Sequence, residues 1–132
     1  MENIVCLDAS VLINYYREKN KEASFFYKLT RVYNGFVLPA VAHFEILIGS
    51  NSVQHKFWKN IFEDILLLPY SIYLNKVAVE VVANLKAKGL NIEFKDLIIA
   101  STALYHNYPL ATHNEKHFIN VPKLKLVTLS SR

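Results

Sequence analysis

Apolar residues along this chain fall into short unbroken runs. Between them lie longer stretches where apolar positions recur every three or four residues. Ile4-Val5-Cys6-Leu7 is one unbroken run, the pattern of a strand covered on both faces. Residues 9–17 then read as a helix, and 21–33 as a second helix rich in Phe25, Phe26 and Tyr27. Asn34-Gly35 marks a turn and Phe36-Val37-Leu38 a second strand. Pro39 suits the first turn of a helix over 40–48, and Gly49 suits its end. A helix over 52–62 follows, then a strand over 65–68 closed by Pro69. Residues 71–88 carry Val77, Ala78, Val81, Val82 and Leu85 on one helical stripe, with Gly89 as the stop. Residues 96–106 are apolar nearly all round, which predicts a buried helix, and 108–111 and 124–129 read as two last strands. This alternation predicts an α/β fold, a three-layer α/β/α sandwich with a mainly parallel central sheet, as a single domain over residues 1–132.

Composition narrows the chemistry. Of 132 residues, 52% are hydrophobic and 20% charged, enough to build a core and too apolar for a disordered chain. A lone cysteine, Cys6, excludes a disulfide framework and a multi-cysteine metal site, and fits a reducing compartment. The opening residues lack a basic region before their short apolar run, and no run approaches the ~18 apolar residues of a membrane helix. The expected setting is cytoplasm, away from membranes. A net charge of +4 permits a phosphate-rich partner without demanding one. Glycine patterns for dinucleotide binding, a phosphate-binding loop and a serine nucleophile elbow are all missing, which argues against those enzyme classes.

Three acidic residues sit in apolar company. Asp8 ends the first strand, Glu45 lies beside Val41, Phe44 and Ile48, and Asp96 opens Leu97-Ile98-Ile99-Ala100. Glu80, by contrast, points away from its helix's apolar stripe. An unpaired buried carboxylate costs several kcal/mol or shifts its pKa. A divalent cation removes that difficulty, because magnesium and manganese take hard oxygen ligands. In open parallel sheets, ligands bind at the carboxyl ends of the strands near the switch in strand order, where residues distant in sequence meet. The competing readings are structural: Asp8 and Asp96 as helix caps, and Glu45 as the partner of a buried lysine or arginine.

The same residues resemble the PIN domain family (the PilT N-terminus nucleases), and within it the VapC-type toxins. Ile4 to Ile13 looks like the family's first strand with its Asp-x-Ser/Thr motif, here Asp8 and Ser10. Pro39 to Gly49 is similar to the helix bearing Glu45, and Asp96 to Leu104 matches the third acidic motif. Leu110 to Phe118 resembles the strand and turn carrying Thr112 and Asn114. The resemblance implies an endoribonuclease that hydrolyses RNA with Mg²⁺ or Mn²⁺ held by Asp8, Glu45 and Asp96. Ser10, Thr112 and Asn114 are expected as further site residues, and a small antitoxin and a homodimer as the assembly. Many family members carry a fourth acid at the place of Asn114, so one firmly held ion is expected. The alternative is a PIN-like module with weakened catalysis that binds RNA or a protein.

Other candidates are secondary. Lys95 and Arg17 are candidates for phosphate contacts, with an ordinary solvated side chain as the competing reading of each. His113 and His117 stand four residues apart, a spacing that serves zinc on a helix but lacks a third ligand. The aromatic group Tyr15, Tyr16, Phe25, Phe26 and Tyr27 is expected to serve the core or a groove for a partner helix, with stacking on RNA bases as the competing reading.

Overall fold

A computed structural model describes residues 2–129. Five strands form one sheet: β1 (Ile4–Leu7), β2 (Gly35–Pro39), β3 (Leu66–Leu68), β4 (Leu110–Ala111) and β5 (Leu126–Val127). Their order is β3-β2-β1-β4-β5, and every neighbouring pair is parallel. The helices are α1 (Ala9–Arg17), α2 (Phe25–Thr30), α3 (Ala40–Ile48), α4 (His55–Glu63), α5 (Leu74–Ala87), α6 (Phe94–His106) and α7 (Glu115–Phe118). Successive strand side chains point to opposite faces, and Val5, Cys6 and Leu7 are all 0% exposed. The centre of the sheet is therefore covered on both sides, as the unbroken apolar run predicts.

Several elements are shorter than the periodicity suggests, for local reasons. The expected helix over 21–33 splits into a 3₁₀ turn at Lys21–Ala23 and then α2. Ser24 makes the break, because its hydroxyl donates to the Lys21 carbonyl and accepts from the Tyr27 N–H. α4 starts at His55 because Asn51 and Gln54 close a reciprocal turn ahead of it, each side chain accepting from the other's backbone N–H at 3.1 Å. Gly89 adopts φ +71°, the left-handed geometry a helix stop needs. α6 begins two residues earlier than expected, with Glu93 at its N-cap.

The topology positions the site. β1 lies between β2 and β4, so the chain runs outward one way through β2 and β3 and returns on the other side through β4 and β5. The strand order thus reverses at β1. Leu7 pairs with Ala111, so the next residues, Asp8 and Thr112, leave adjacent strands side by side at the carboxyl edge. β2 runs straight into α3 at that edge, which brings Glu45 one turn inside. α6 is buried without interruption from Asp96 to Ala103. Among the described residues no helix is long and apolar enough to cross a membrane.

Candidate active site

Asp8 is 4% exposed and directly follows β1. It occupies the N-cap position of α1, yet its side chain makes no capping hydrogen bond. Instead Oδ2 accepts from the Ser10 hydroxyl at 2.7 Å and from the Thr112 hydroxyl at 2.8 Å. These two hydroxyls are themselves fixed. Ser10 Oγ accepts from the His113 N–H at 3.1 Å, and Thr112 Oγ1 from the Asn114 N–H at 2.8 Å. Two strands and two loops thereby lock one carboxylate with neutral donors, which set its direction without cancelling its charge. The Asp8 charge is felt nearby: the Cys6 thiol is pushed strongly upward, first by complete burial and then by Asp8.

Glu45 and Asp96 are held differently. Glu45 Oε2 meets Lys95 Nζ at 2.9 Å, and the lysine is accordingly shifted upward, first by this hydrogen bond. The structural reading of Glu45 therefore holds in part, although the cation is a half-exposed lysine rather than a buried one. Asp96 is 3% exposed and lies in the first turn of α6, where its Oδ2 stands 3.2 Å from His117 Nδ1. Burial raises its pKa most; His117 and Lys95 pull it down, and Asp8 and Glu93 push it up. Asp8, Glu45, Lys95 and Asp96 are thus tied together electrostatically along one edge.

Polar atoms there are left over. Glu45 Oε1 is buried and, among the described residues, has no hydrogen-bond partner, and the same holds for His113 Nε2. A hard divalent ion suits the Glu45 oxygen, since such an ion satisfies unpaired carboxylate oxygens and offsets the repulsion between Asp8 and Asp96. Among the described residues the group of donors that converges within 4.8 Å is Glu93, Asp96 and His117. Asp8 and Glu45 are not part of that ring. Sequence reasoning missed Glu93, although it precedes Asp96 by three residues, a helical one-turn spacing.

The remaining candidates are distributed as follows. Asn114 is exposed at the start of α7 and does not cap it. His113 and His117 meet different neighbours: His113 lies edge-on to the Phe25 ring at 5.2 Å and is shifted downward by burial, whereas His117 faces Asp96. Arg17 borders a cleft of about 110 Å³ together with Glu45, Tyr16 and Trp58. Phe25 is core at 1% exposed. Tyr15 and Tyr16 pack against Phe57 of α4 at 6.0 and 5.0 Å, and Tyr15 against Phe26 at 5.1 Å. Lys21 lies over these rings and donates to the carbonyls of Tyr15, Tyr16 and Glu18, satisfying the end of α1.

The PIN domain family model matches residues 5–124. Ribonuclease VapC1 of Methanocaldococcus jannaschii is 28% identical over 121 residues, covering 89% of this chain and 80% of that protein. Ribonuclease VapC of Rickettsia bellii is 32% identical over 96 residues, covering 64% of this chain and 69% of its own length. In structure, the chain resembles one in the crystal structure of VapBC2 from Rickettsia felis bound to a DNA fragment from their promoter. That match has a TM-score of 0.82 at 23% identity, over 95% of this chain and 98% of the other. VapBC-1 from nontypeable Haemophilus influenzae gives a TM-score of 0.79 at 22% identity, over 96% and 98%. At such identities the structural likeness speaks for the fold.

Proposed function

The chain belongs to the PIN domain family, and from that premise we propose that it is a metal-dependent endoribonuclease, the toxin of a type II toxin–antitoxin pair. The observation that carries this reading is the Asp8 carboxylate, buried at the strand switch and aimed by two hydroxyls instead of spent on a helix cap. Purely structural service does not require that arrangement. The likeness to proteins named Ribonuclease VapC supports RNA as the substrate.

Asp8, Glu45 and Asp96 would hold Mg²⁺ or Mn²⁺. Such an ion acidifies a bound water and offsets charge developing on a scissile phosphate. Ser10 and Thr112 keep Asp8 in one orientation, so little reorganisation is needed at the moment of reaction. Lys95, half exposed beside Glu45, is placed to exchange its carboxylate for a substrate phosphate. Thr112 and Asn114 supply polar groups at the turn after β4, where a phosphate oxygen or a water is expected. Asn114 brings no charge, so one firmly held ion is the expected complement.

For partners, the reading assigns an antitoxin segment to the aromatic side of α1, α2 and α4. There Tyr15, Phe26, Phe36 and Ile61 border a cleft of about 270 Å³. It assigns a second copy of the chain to the apolar groove of α5 and α6, where Val79 and Phe94 are 66% and 70% exposed.

The test uses the purified chain, free of any antitoxin, with structured RNA and Mg²⁺ or Mn²⁺, with and without EDTA, beside Asp8→Asn. Metal-dependent cutting that Asp8→Asn lacks is the expected result. Equal behaviour of the two proteins, or tight RNA binding without cutting, would refute the nuclease reading.

A further inference from the structure

Among the described residues, a group of acidic and imidazole side chains able to hold a metal ion includes a nitrogen. Glu93, Asp96 and His117 come from the start of α6 and from α7, and their ligand atoms all lie within 4.8 Å of one another. We propose that His117 is a direct ligand of the divalent ion, together with Glu93 and Asp96, so that the site binds through one imidazole nitrogen as well as carboxylate oxygens and favours Mn²⁺ over Mg²⁺. The inference rests on the metal-dependent reading above and adds His117 and Glu93 to its donors, with Asp96 as the ligand common to both groups.

Three observations carry it. Asp96 is 3% exposed and its carboxylate is turned toward His117, with Oδ2 at 3.2 Å from Nδ1. A carboxylate buried that far is costly unless a cation pairs with it, and the imidazole beside it is the group an arriving ion would meet. Glu93 sits at the N-cap of α6 and its carboxylate does not cap the helix. It therefore stands as a second acid one helical turn from Asp96, an arrangement whose mutual repulsion an ion relieves. His117 is held in place by its neighbours: Phe118 is 1% exposed in the core, the His117 N–H donates to the Asn114 carbonyl, and the Asn114 N–H is tied to Thr112. The ring is nevertheless 46% exposed, so an ion can reach it from solvent.

Chemistry then sets the preference. Magnesium takes oxygen ligands and gives up its waters reluctantly. A neutral imidazole is a better ligand for first-row transition ions. A mixed nitrogen and oxygen donor set accordingly shifts selectivity toward Mn²⁺. An ordinary ion pair between His117 and Asp96 would produce no such preference, and this separates the two readings.

The experiment is pulsed electron paramagnetic resonance on the full chain loaded with Mn²⁺ alone. The wild type is expected to show nitrogen-14 coupling to the ion. His117→Gln should abolish that coupling and weaken Mn²⁺ binding by about tenfold or more, with a much smaller change for Mg²⁺. Glu93→Gln should weaken Mn²⁺ binding while retaining the nitrogen signal. Bound Mn²⁺ without nitrogen coupling, or coupling that persists in His117→Gln, overturns this proposal and leaves the nuclease reading standing. A chain that binds no Mn²⁺ overturns both.

Discussion

Asp8 and Asp96 are buried to nearly the same degree, 4% and 3% exposed, yet their surroundings differ in kind. Asp8 is aimed by two neutral hydroxyls, each fixed by a backbone N–H from the loop after β4. Asp96 faces an imidazole, and its neighbour Glu45 faces a lysine. Neutral donors fix a carboxylate's direction and leave its charge available to an ion. The lysine neutralises Glu45 provisionally and yields when a stronger cation arrives. One corner of the site is therefore preorganised, and the other is compensated until it is filled.

The sharpest way to break this contrast is Asp8→Asn. It keeps the shape of the side chain and removes the uncompensated charge. RNA cleavage should fall by at least about a hundredfold, with the melting temperature little changed, as assayed on gels and by thermal denaturation.

Thr112→Val attacks the scaffold instead of the charge. It keeps the volume but leaves Asp8 Oδ2 with one donor and the Asn114 N–H without its acceptor. A loss of about 1–3 kcal/mol is expected for such a buried defect, read by denaturant unfolding, with cleavage reduced about tenfold. Unchanged stability would show that the hydroxyl is not the anchor described here.

Asp96→Asn should act in the opposite direction on stability. Burial raises the Asp96 pKa above its ordinary value, so the folded chain binds a proton that the unfolded chain releases. Native stability contributed by this group is present below its unfolded pKa and is lost as pH rises through the folded one. In EDTA at pH 7, Asp96→Asn should therefore melt a few degrees higher than wild type, and the gap should close as the pH falls toward 4. A lower melting temperature at pH 7 would mean that His117 and Lys95 more than repay the burial.

Lys95→Gln should have the smallest effect on the fold. A half-exposed ion pair is worth ~0–1 kcal/mol, so metal-free melting should move by no more than about 2 °C. Mn²⁺ binding should tighten a few-fold by calorimetry, because a competing cation has gone.

What the sequence discloses divides along the same line. The unbroken run at Ile4–Leu7 and the all-round apolar stretch after Asp96 foretell a sheet and a buried helix, because burial on every side leaves no polar period to read. The three acids stand out for the same reason, as charges where the pattern wants apolar residues. Element ends are less legible. Ser24 and the Asn51–Gln54 turn restart the chain through side-chain hydrogen bonds that periodicity does not register. The engagement of Asp8 by Thr112 spans 104 positions and depends on the Leu7–Ala111 register. Glu93 carries no signal in the sequence pattern, and His117 reads as one half of a histidine pair. Only the packing of α7 against the start of α6 brings them together.

The central claim is that Asp8, Glu45 and Asp96, drawn from three separate elements, serve one ion. Calorimetric titration of Mn²⁺ into the wild type, Asp8→Asn, Glu45→Gln and Asp96→Asn tests it most directly. Each single substitution is predicted to weaken the same tight binding event by about tenfold or more. A variant among the three whose isotherm matches the wild type would contradict the account.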